Sequence, residues 1–247
     1  MAAEPLSGFW HLRLRRRLSC QADLSGYNNK QTVLFVRWPM KDVIQPRALE
    51  TREKILQAAA NLIALKGYHD TKLEEVLDTA QVTKGAFFHH FRDREALGFA
   101  VLDWHMDRRR KMLDAIEQEL PVAEPADPLQ RVFRRLDAIQ EMVRRREGCK
   151  GGCIIGNMST ALSDCHPGFR KRLAECFDEM AREFQPHLEA AARRGRGTRR
   201  TNPSELARYI VTVIEGAIMQ ARTLGDAKLL PRQLAYLKEH LKKCLEP

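Results

Sequence analysis

The sequence has little of what a disulfide scaffold or a membrane protein requires. Its six cysteines are too few and too scattered for a disulfide framework. The longest nearly apolar run, 209–219, contains Glu215 and has about half of the roughly 20 residues that a membrane span needs. No apolar segment typical of a secretory signal occurs near the N-terminus. We therefore expect a cytoplasmic protein with reduced thiols and no membrane association.

The charge balance is basic, and the composition is otherwise ordinary. Lys and Arg total 42 against 32 Asp and Glu, and hydrophobic residues make up 44% of the 247 residues. These proportions are typical of a globular protein and exclude wholesale disorder or a collagen-like repeat. The net charge of +10 favours a polyanionic partner such as nucleic acid. The length allows one large domain or two small ones.

Residues 1–45 precede the patterned region and show no sustained helical or strand period. We interpret them as an N-terminal extension that is either disordered or absent from the native protein. In the second case the gene start has been placed too far upstream, and Met40 is the candidate biological start. This hypothesis predicts that intact-mass analysis of the native protein finds no residues before Met40.

From Arg47 onward, apolar residues recur at spacings of three and four, and no convincing alternating pattern occurs. This periodicity predicts an all-α fold. The predicted helices cover 47–66, 71–80, 83–91, 93–121, a stretch from Pro128, 169–188, 203–224 and a stretch from Pro231.

Several residues predict how these helices begin, bend or end. Thr71 is the expected N-cap of the second helix, with Glu74 in the capping-box position. Asp93 is the expected N-cap of the fourth helix. Pro186 is expected to kink the helix over 169–188, because proline removes an amide donor. Glycines and like charges over 193–200 predict a basic, solvated loop.

The helices over 71–80 and 83–91 are short and joined by a tight connection, which fits a helix-turn-helix. In that motif the second helix enters the major groove and reads base edges with its N-terminal residues. Here that helix begins with small side chains and one cation, which lets the backbone approach a phosphate. These first residues are Thr83, Lys84, Gly85 and Ala86. Residues 47–95 carry eight basic and eight acidic side chains, so the basic charge of the whole chain is not itself evidence that this unit binds DNA.

Three segments closely resemble the TetR family of bacterial transcriptional repressors. They are Thr-Arg-Glu-Lys-Ile-Leu-Gln-Ala-Ala (51–59), Lys-Gly-Tyr-His-Asp-Thr (66–71) and Val-Thr-Lys-Gly-Ala-Phe-Phe-His-His-Phe-Arg-Asp-Arg-Glu-Ala-Leu (82–97). The resemblance implies a homodimeric, Ω-shaped, all-α protein that binds DNA and a small effector. We accordingly expect a helix-turn-helix DNA-binding domain over 46–95 and an effector-binding and dimerisation domain over 96–247.

The resemblance also implies which residues contact DNA. Phe88 departs from the family, which usually has a tyrosine there whose hydroxyl binds a phosphate, and Arg94 replaces a frequent lysine. Together with Ala86 from the helix start, the candidate DNA-binding residues are Thr71, Thr83, Lys84, Gly85, Ala86, His89 and Arg94.

The segment 152–169 is similar to a TetR subgroup that includes the repressor of the N-ethylmaleimide reductase operon and is associated with reactive electrophiles. Cys153, flanked by glycines near a helix start, is a candidate electrophile sensor with a lowered pKa. Its alternatives are packing in the core, a disulfide with Cys149, or a metal site with His166, for which the sequence offers no set of four well-spaced ligands. The candidate sensing or pocket residues are Cys153, Cys149, Met112, Phe133, Met158 and Phe177.

Together these features predict a dimeric repressor that an effector releases from a palindromic operator, with the two recognition helices about 34 to 36 Å apart. The fourth helix, which joins the two domains, is the expected transmitter. The alternatives are an architectural DNA-binding protein without effector control and a thiol-dependent enzyme that uses Cys153. We expect no enzymatic activity, no cofactor and no metal. The expected dimer interface comprises Tyr209, Val213, Gly216, Ala217 and Gln220.

Overall fold

The computed structural model describes residues 46–120, 127–145, 151–194 and 202–245. Within these ranges the chain forms ten α-helices and no strand, which confirms the predicted all-α class. No helix in these ranges combines the length and the apolar character that a bilayer span requires. The N-terminal extension, with Met40, lies outside the described residues. The helices are α1 (Pro46–Lys66), α2 (Leu73–Ala80), α3 (Lys84–His90), α4 (Arg94–Glu119), α5 (Pro128–Arg145), α6 (Ile154–Leu162), α7 (Pro167–Arg182), α8 (Gln185–Arg194), α9 (Pro203–Leu224) and α10 (Leu229–Leu245).

Helices α3 and α4 begin at their predicted capping residues. The Thr83 hydroxyl accepts a hydrogen bond from the Ala86 N–H (3.2 Å), and Asp93 Oδ1 accepts one from the Ala96 N–H (2.7 Å). Each cap satisfies one of the amide groups that a helix start leaves without an intrahelical acceptor. The turn between α2 and α3 and the entry into α4 are therefore set by short-range interactions.

Helix α2 begins one position later than predicted, with Lys72 in place of Thr71 as its N-cap. Glu75, not Glu74, occupies the capping-box position, and its Oε2 accepts a hydrogen bond from the Lys72 N–H (3.3 Å). The Thr71 hydroxyl instead donates to the Gly67 carbonyl (2.8 Å). Thr71 thus closes the turn that follows α1 and does not cap α2.

The predicted single kinked helix over 169–188 is wrong. The chain ends α7 at Arg182 and begins α8 at Gln185. Pro186 lies in the first turn of α8, where a residue needs no amide hydrogen bond, and there proline is tolerated. Phe184, in the break between the two helices, is fully buried, so the break is anchored in the core.

Two further boundaries differ from the prediction. Helix α8 includes Arg193 and Arg194, which were assigned to the basic loop, whereas 195–200 lies outside the described residues. Helix α10 begins at Leu229, so Pro231 falls in its first turn instead of starting it.

The described helices fall within one compact unit. Helix α1 packs against α2, α3 and α4, while α5 packs against α4, α8 and α10, and α7 and α10 both pack against α9. Helix α4 runs through the predicted domain boundary near residue 95, which stays a prediction.

Aromatic rings join the connection between α1 and α2 to α4 and α7. The Phe169 ring lies edge-on to Tyr68 (centroids 5.3 Å apart) and stacks on Phe99 (4.2 Å). Gly98 leaves room for these rings, because a Cβ there would lie 2.7 Å from Phe169 Cζ and 2.8 Å from Tyr68 Cε2. The segment that leads into the helix-turn-helix is therefore packed directly against α7.

Candidate nucleic-acid interface and ligand cavity

Helix α3 turns one face to the core and the other to solvent. The Phe87 ring is fully buried and its centroid lies 5.5 Å from that of Phe91, and α3 packs against α1. On the opposite face Lys84, Phe88 and His89 are exposed, and Phe88 keeps 49% of its surface. A short helix anchored on one side and exposed on the other has the form that insertion into a major groove requires.

The start of α3 is suited to contact with a phosphate. The first amide groups of a helix carry a partial positive charge. Lys84 is exposed beside them, and a Cβ built on Gly85 would meet only Thr83 Oγ1, at 3.9 Å. The phosphate backbone of DNA can therefore approach this turn closely, and the Lys84 ammonium group can neutralise the phosphate charge.

Two of the predicted DNA contacts have structural partners instead. The Thr71 side chain is buried, and its hydroxyl donates to the Gly67 carbonyl. The Arg94 guanidinium donates to the carbonyls of Tyr68 and His69 (3.1 Å to His69) and lies 4.5 Å from the Tyr68 ring centroid. The Thr71 hydroxyl and the Arg94 guanidinium, which the resemblance places in contact with DNA, thus donate to backbone carbonyls of the connection between α1 and α2.

The adjacent histidines of α3 are in different environments. Their rings lie edge to face, 5.1 Å apart, but His89 is exposed whereas His90 is half-buried. Burial, helped by the nearby charges of His89 and Arg52, lowers the pKa of His90. His90 is therefore neutral near pH 7, and His89 is the histidine available to DNA. Sequence reasoning did not include Arg92 among the site residues, although it is exposed next to α3.

A cavity of about 760 Å³ opens between α6, α7 and α9. This volume lies within the range of small-molecule sites, which is about 300–1,000 Å³. Of the predicted pocket residues, Cys153 and Phe177 line it. Other lining residues include Gly152, Gly156, Asn157, Asp178, Arg208, Glu215 and Arg222.

The other predicted pocket residues lie elsewhere. Met158 is fully buried in the core, and Phe133 is buried beneath Lys238, whose Nζ lies 5.7 Å from the ring centroid. Met112 lines a separate, smaller cavity of about 180 Å³ beside α1 and α4. Cys149 lies outside the described residues. Helical periodicity marks all such residues as inward-facing, but it does not tell a packed interior from a cavity wall.

Cys153 is in the cavity wall, but its environment does not activate the thiol. Burial and the neighbouring Glu215 carboxyl raise the pKa of Cys153, and the backbone amides of Gly156 and Ile155 offset this only in part. The prediction of a lowered pKa is therefore wrong. The helix start supplies the expected favourable amides, but desolvation and an acidic neighbour outweigh them.

Glu215 lines the cavity and is absent from the candidate site residues that the sequence predicted. Its Oε1 is buried without a hydrogen-bond partner among the described residues, and its carboxyl group accepts a hydrogen bond from the Cys153 thiol. Burial raises the pKa of Glu215, and the thiol and the charge of Arg109 lower it by less. Gly156 makes room for the carboxyl, because a Cβ there would lie 2.8 Å from Glu215 Oε2. The sequence feature that could have identified Glu215 is its position as an acidic residue inside the nearly apolar run 209–219.

Two lining residues connect the cavity to the end of α1. Asn157 Nδ2 donates to the carbonyls of Ala64 (3.2 Å) and Gly151 (2.8 Å). Arg222 donates from Nη1 to the Gly151 carbonyl (3.3 Å) and from Nη2 to the Leu65 carbonyl (3.5 Å). We call this pair, Asn157 and Arg222, the α1 clamp. It joins the cavity wall to the helix that precedes the helix-turn-helix, a path the sequence did not suggest.

The face of α9 predicted to dimerise is only partly exposed. Tyr209 and Gln220 are exposed, and a Cβ on Gly216 would meet nothing within 4 Å. Ala217 is buried in the core of its own chain, so its assignment to the interface is wrong. Val213 is half-buried against that core. The apolar run 209–219 wraps both faces of the helix, and periodicity alone did not show which residues face inward.

His166 has a capping role. Its Nδ1 accepts a hydrogen bond from the Phe169 N–H (3.1 Å) at the start of α7, and its Nε2 lies 3.4 Å from Glu95 Oε1. Within the described ranges, no three His, Cys, Asp or Glu side chains are grouped so that they could hold a metal ion.

A helix-turn-helix with an exposed second helix, joined to a helical unit that contains a ligand-sized cavity, defines the class of ligand-responsive transcriptional regulators. Comparison with known proteins agrees. The pattern described as "Bacterial regulatory proteins, tetR family" matches residues 55–101, and "Tetracyclin repressor-like, C-terminal domain" matches residues 128–237. The chain belongs to the TetR family, as its sequence motifs predicted.

Individual relatives cover most of the chain. An HTH-type transcriptional regulator of Lactococcus lactis, from the lacX 3' region, is 28% identical over 78% of this chain and 94% of its own. The transcriptional repressor NemR of Escherichia coli is 28% identical over 76% of this chain and 92% of its own. The crystal structure of reduced E. coli NemR superposes with a TM-score of 0.64 at 26% identity, covering 77% of this chain and 96% of that one. The relatives are regulators and not enzymes, which agrees with the prediction of no enzymatic activity.

Proposed function

We propose that the protein is a dimeric, cytoplasmic repressor that a small molecule releases from a palindromic operator. The observation that carries the proposal is the connection, through the α1 clamp, of a 760 Å³ cavity to the helix that precedes an exposed recognition helix. The name of NemR as a repressor supports repression over activation.

The proposed mechanism is a shift between two states of the α1 clamp. In the DNA-binding state Asn157 and Arg222 hold the last turn of α1 against α6 and α9. A ligand in the cavity draws these side chains inward and weakens their bonds to the carbonyls of Ala64 and Leu65. Because binding equilibria are linked, operator DNA then weakens ligand binding by the same factor. Helix α4, which follows the helix-turn-helix, carries the second path through the packing of Gly98 on α7.

Dimerisation is proposed through the exposed face of α9, where Gly216 and Met219 also line the cavity, so that the partner subunit would lie next to the ligand site. Tyr209, Gly216 and Gln220 are on that face, with Met219 61% exposed nearby and Tyr236 of α10 73% exposed. Exposed large apolar side chains on two adjacent helices are typical of a subunit interface. Two-fold symmetry would then place one α3 in each of two successive major grooves.

The test begins by selecting operator duplexes from a random pool with the full chain, so that no assumption is made about where the operator lies. Fluorescence anisotropy then measures affinity for the selected duplex and a scrambled one over a salt series. We expect the selected duplex to bind at least about a thousandfold more tightly. Lys84→Ala should weaken binding and lower the salt slope by about one, because one phosphate contact is lost.

The matched control is Lys171→Ala, which makes the same charge change on an exposed position of α7. It should leave both affinity and slope unchanged. If both duplexes bind equally, the architectural alternative replaces the repressor. If Lys84→Ala and Lys171→Ala behave alike, α3 is not the recognition helix.

A further inference from the structure

We propose that Glu215 makes the cavity selective for hydrophobic amines, whose ammonium group binds the Glu215 carboxylate while the apolar body fills the space between α6, α7 and α9. This inference rests on the proposed function, since it names the chemical class of the effector. It assigns a binding role to a residue one of whose oxygens has no hydrogen-bond partner in the described part of the chain.

The first observation is the unmet hydrogen-bonding capacity of Glu215. Oε1 has no partner among the described residues, and a buried polar atom without a partner destabilises the folded state. The carboxyl group lies in the cavity wall, and its terminal torsion is broad, so a small rotation turns either oxygen toward a ligand. An N–H donor from a ligand would supply the missing hydrogen bond.

The second observation is the charge of the cavity wall. Arg208 pairs with Asp178 (3.1 Å), so those two charges cancel. Arg222 directs its guanidinium to backbone carbonyls and to Asn157 Oδ1 (3.4 Å). Glu215 differs from these residues, because its hydrogen-bond partner is the Cys153 thiol and the cation that acts on it, Arg109, is already paired with Glu183 (2.5 Å). An ammonium group at this point favours the ionised form of the Glu215 carboxyl group, whereas an anion disfavours it and a neutral ligand brings no compensating charge.

The third observation is the remainder of the wall, where large apolar side chains lie among the hydroxyl-bearing residues Ser159, Thr160, Thr212 and Thr223. The large apolar side chains that line the cavity are Phe177, Val211, Ile218 and Met219. Such walls favour an aromatic or aliphatic body, and one carboxylate among them fixes its orientation. The combination selects for a molecule with one ammonium group and an apolar remainder.

The test compares three ligands of one shape and different charge: 4-phenylbutylamine, 4-phenylbutan-1-ol and 4-phenylbutanoate. Isothermal titration calorimetry measures their binding to the full chain at pH 7.5. We expect the amine to bind at least about tenfold more tightly than the alcohol, with the acid weakest. In Glu215→Gln the amine should lose this advantage, and the two ligands should bind within about threefold of each other.

The double variant Asp178→Asn, Arg208→Gln is the matched control, because it removes a lining carboxylate together with its cationic partner and leaves the net charge of the wall unchanged. It should keep the preference for the amine. Gly156→Ala is a second variant, since its Cβ would displace the Glu215 carboxylate without removing it, and it should weaken amine binding. Equal binding of the three ligands, no binding of the amine, or an amine preference that survives Glu215→Gln would overturn the proposal.

Operator release is measured separately, by anisotropy of the selected duplex with each ligand. Amine binding that depends on Glu215 but leaves the operator bound would preserve the site and refute its effector role. Operator specificity that depends on Lys84, together with no amine binding, would preserve the regulator and refute the ligand class. The two proposals therefore fail independently.

Discussion

The buried carboxyl of Glu215 should cost the folded protein stability, and replacing it should recover that cost. Glu215→Met keeps a side chain of similar length and removes Oε1, for which the described ranges contain no partner, and this recovers about 1–3 kcal/mol. The Cys153 thiol loses its acceptor, which costs about 0.5–1.5 kcal/mol. The net expectation is a gain of about 1 kcal/mol, or about 2–4 °C in Tm for a chain of this size.

The gain should depend on pH in a defined direction. Burial raises the pKa of Glu215 above its ordinary value of 4.5, so the folded state holds this proton more tightly than the unfolded state does. The wild type is therefore penalised most above the folded-state pKa, and the penalty disappears as the pH falls toward 4.5. The difference in free energy of unfolding between Glu215→Met and the wild type should be larger at pH 8 than at pH 5.

Urea denaturation at a fixed protein concentration measures both effects. The control is Glu205→Met, the same substitution at an exposed position in the first turn of α9, where loss of a favourable helix-dipole interaction should lower stability by about 0.3–1 kcal/mol at most. A loss of stability in Glu215→Met, or a difference that does not change with pH, would show that the carboxyl is compensated in the folded chain. Glu215 would then have no unmet hydrogen bond for a ligand ammonium group to supply.

Three other substitutions or treatments test separate features. Iodoacetamide at pH 7.5, followed by peptide mapping, should modify exposed Cys165 at least about tenfold faster than Cys153, because each unit by which the Cys153 pKa is raised removes nine-tenths of its thiolate. Gly98→Ala should lower the free energy of unfolding by up to about 2 kcal/mol, since overpacking two aromatic rings outweighs the gain in helix propensity; urea denaturation measures it. Gly216→Arg should give a particle with the mass of one chain by light scattering, because it places a long cation on the proposed dimer face.

Each of these has an outcome that contradicts it. Faster labelling of Cys153 than of Cys165 would restore the electrophile-sensor hypothesis. For Gly98, the comparison is Gly85→Ala, which has open space around it and should be neutral or stabilising by up to about 1 kcal/mol; equal effects of the two would refute the packing argument. A dimer that survives Gly216→Arg would move the interface away from the middle of α9.

The helices and the helix-turn-helix could be predicted from sequence because they depend on neighbouring residues. The Thr83 and Asp93 caps act over three positions, and the apolar spacing of three and four follows from the helical repeat itself. The predicted helix boundaries were wrong where the local sequence allowed two different helix starts. Lys72 competed with Thr71 for the cap of α2, and Pro186 allowed either a kink or a new first turn.

What the sequence by itself determined is therefore the fold class, the family and the position of the recognition helix. Only the tertiary structure decided the roles of Arg94, Cys153 and Glu215, because each role depends on segments far away in the chain. Arg94 meets carbonyls 25 and 26 positions earlier, and the thiol of Cys153 meets a carboxyl from α9. Exposure, pKa and hydrogen-bond partners are properties of the assembled environment, and no residue type or spacing determines them alone.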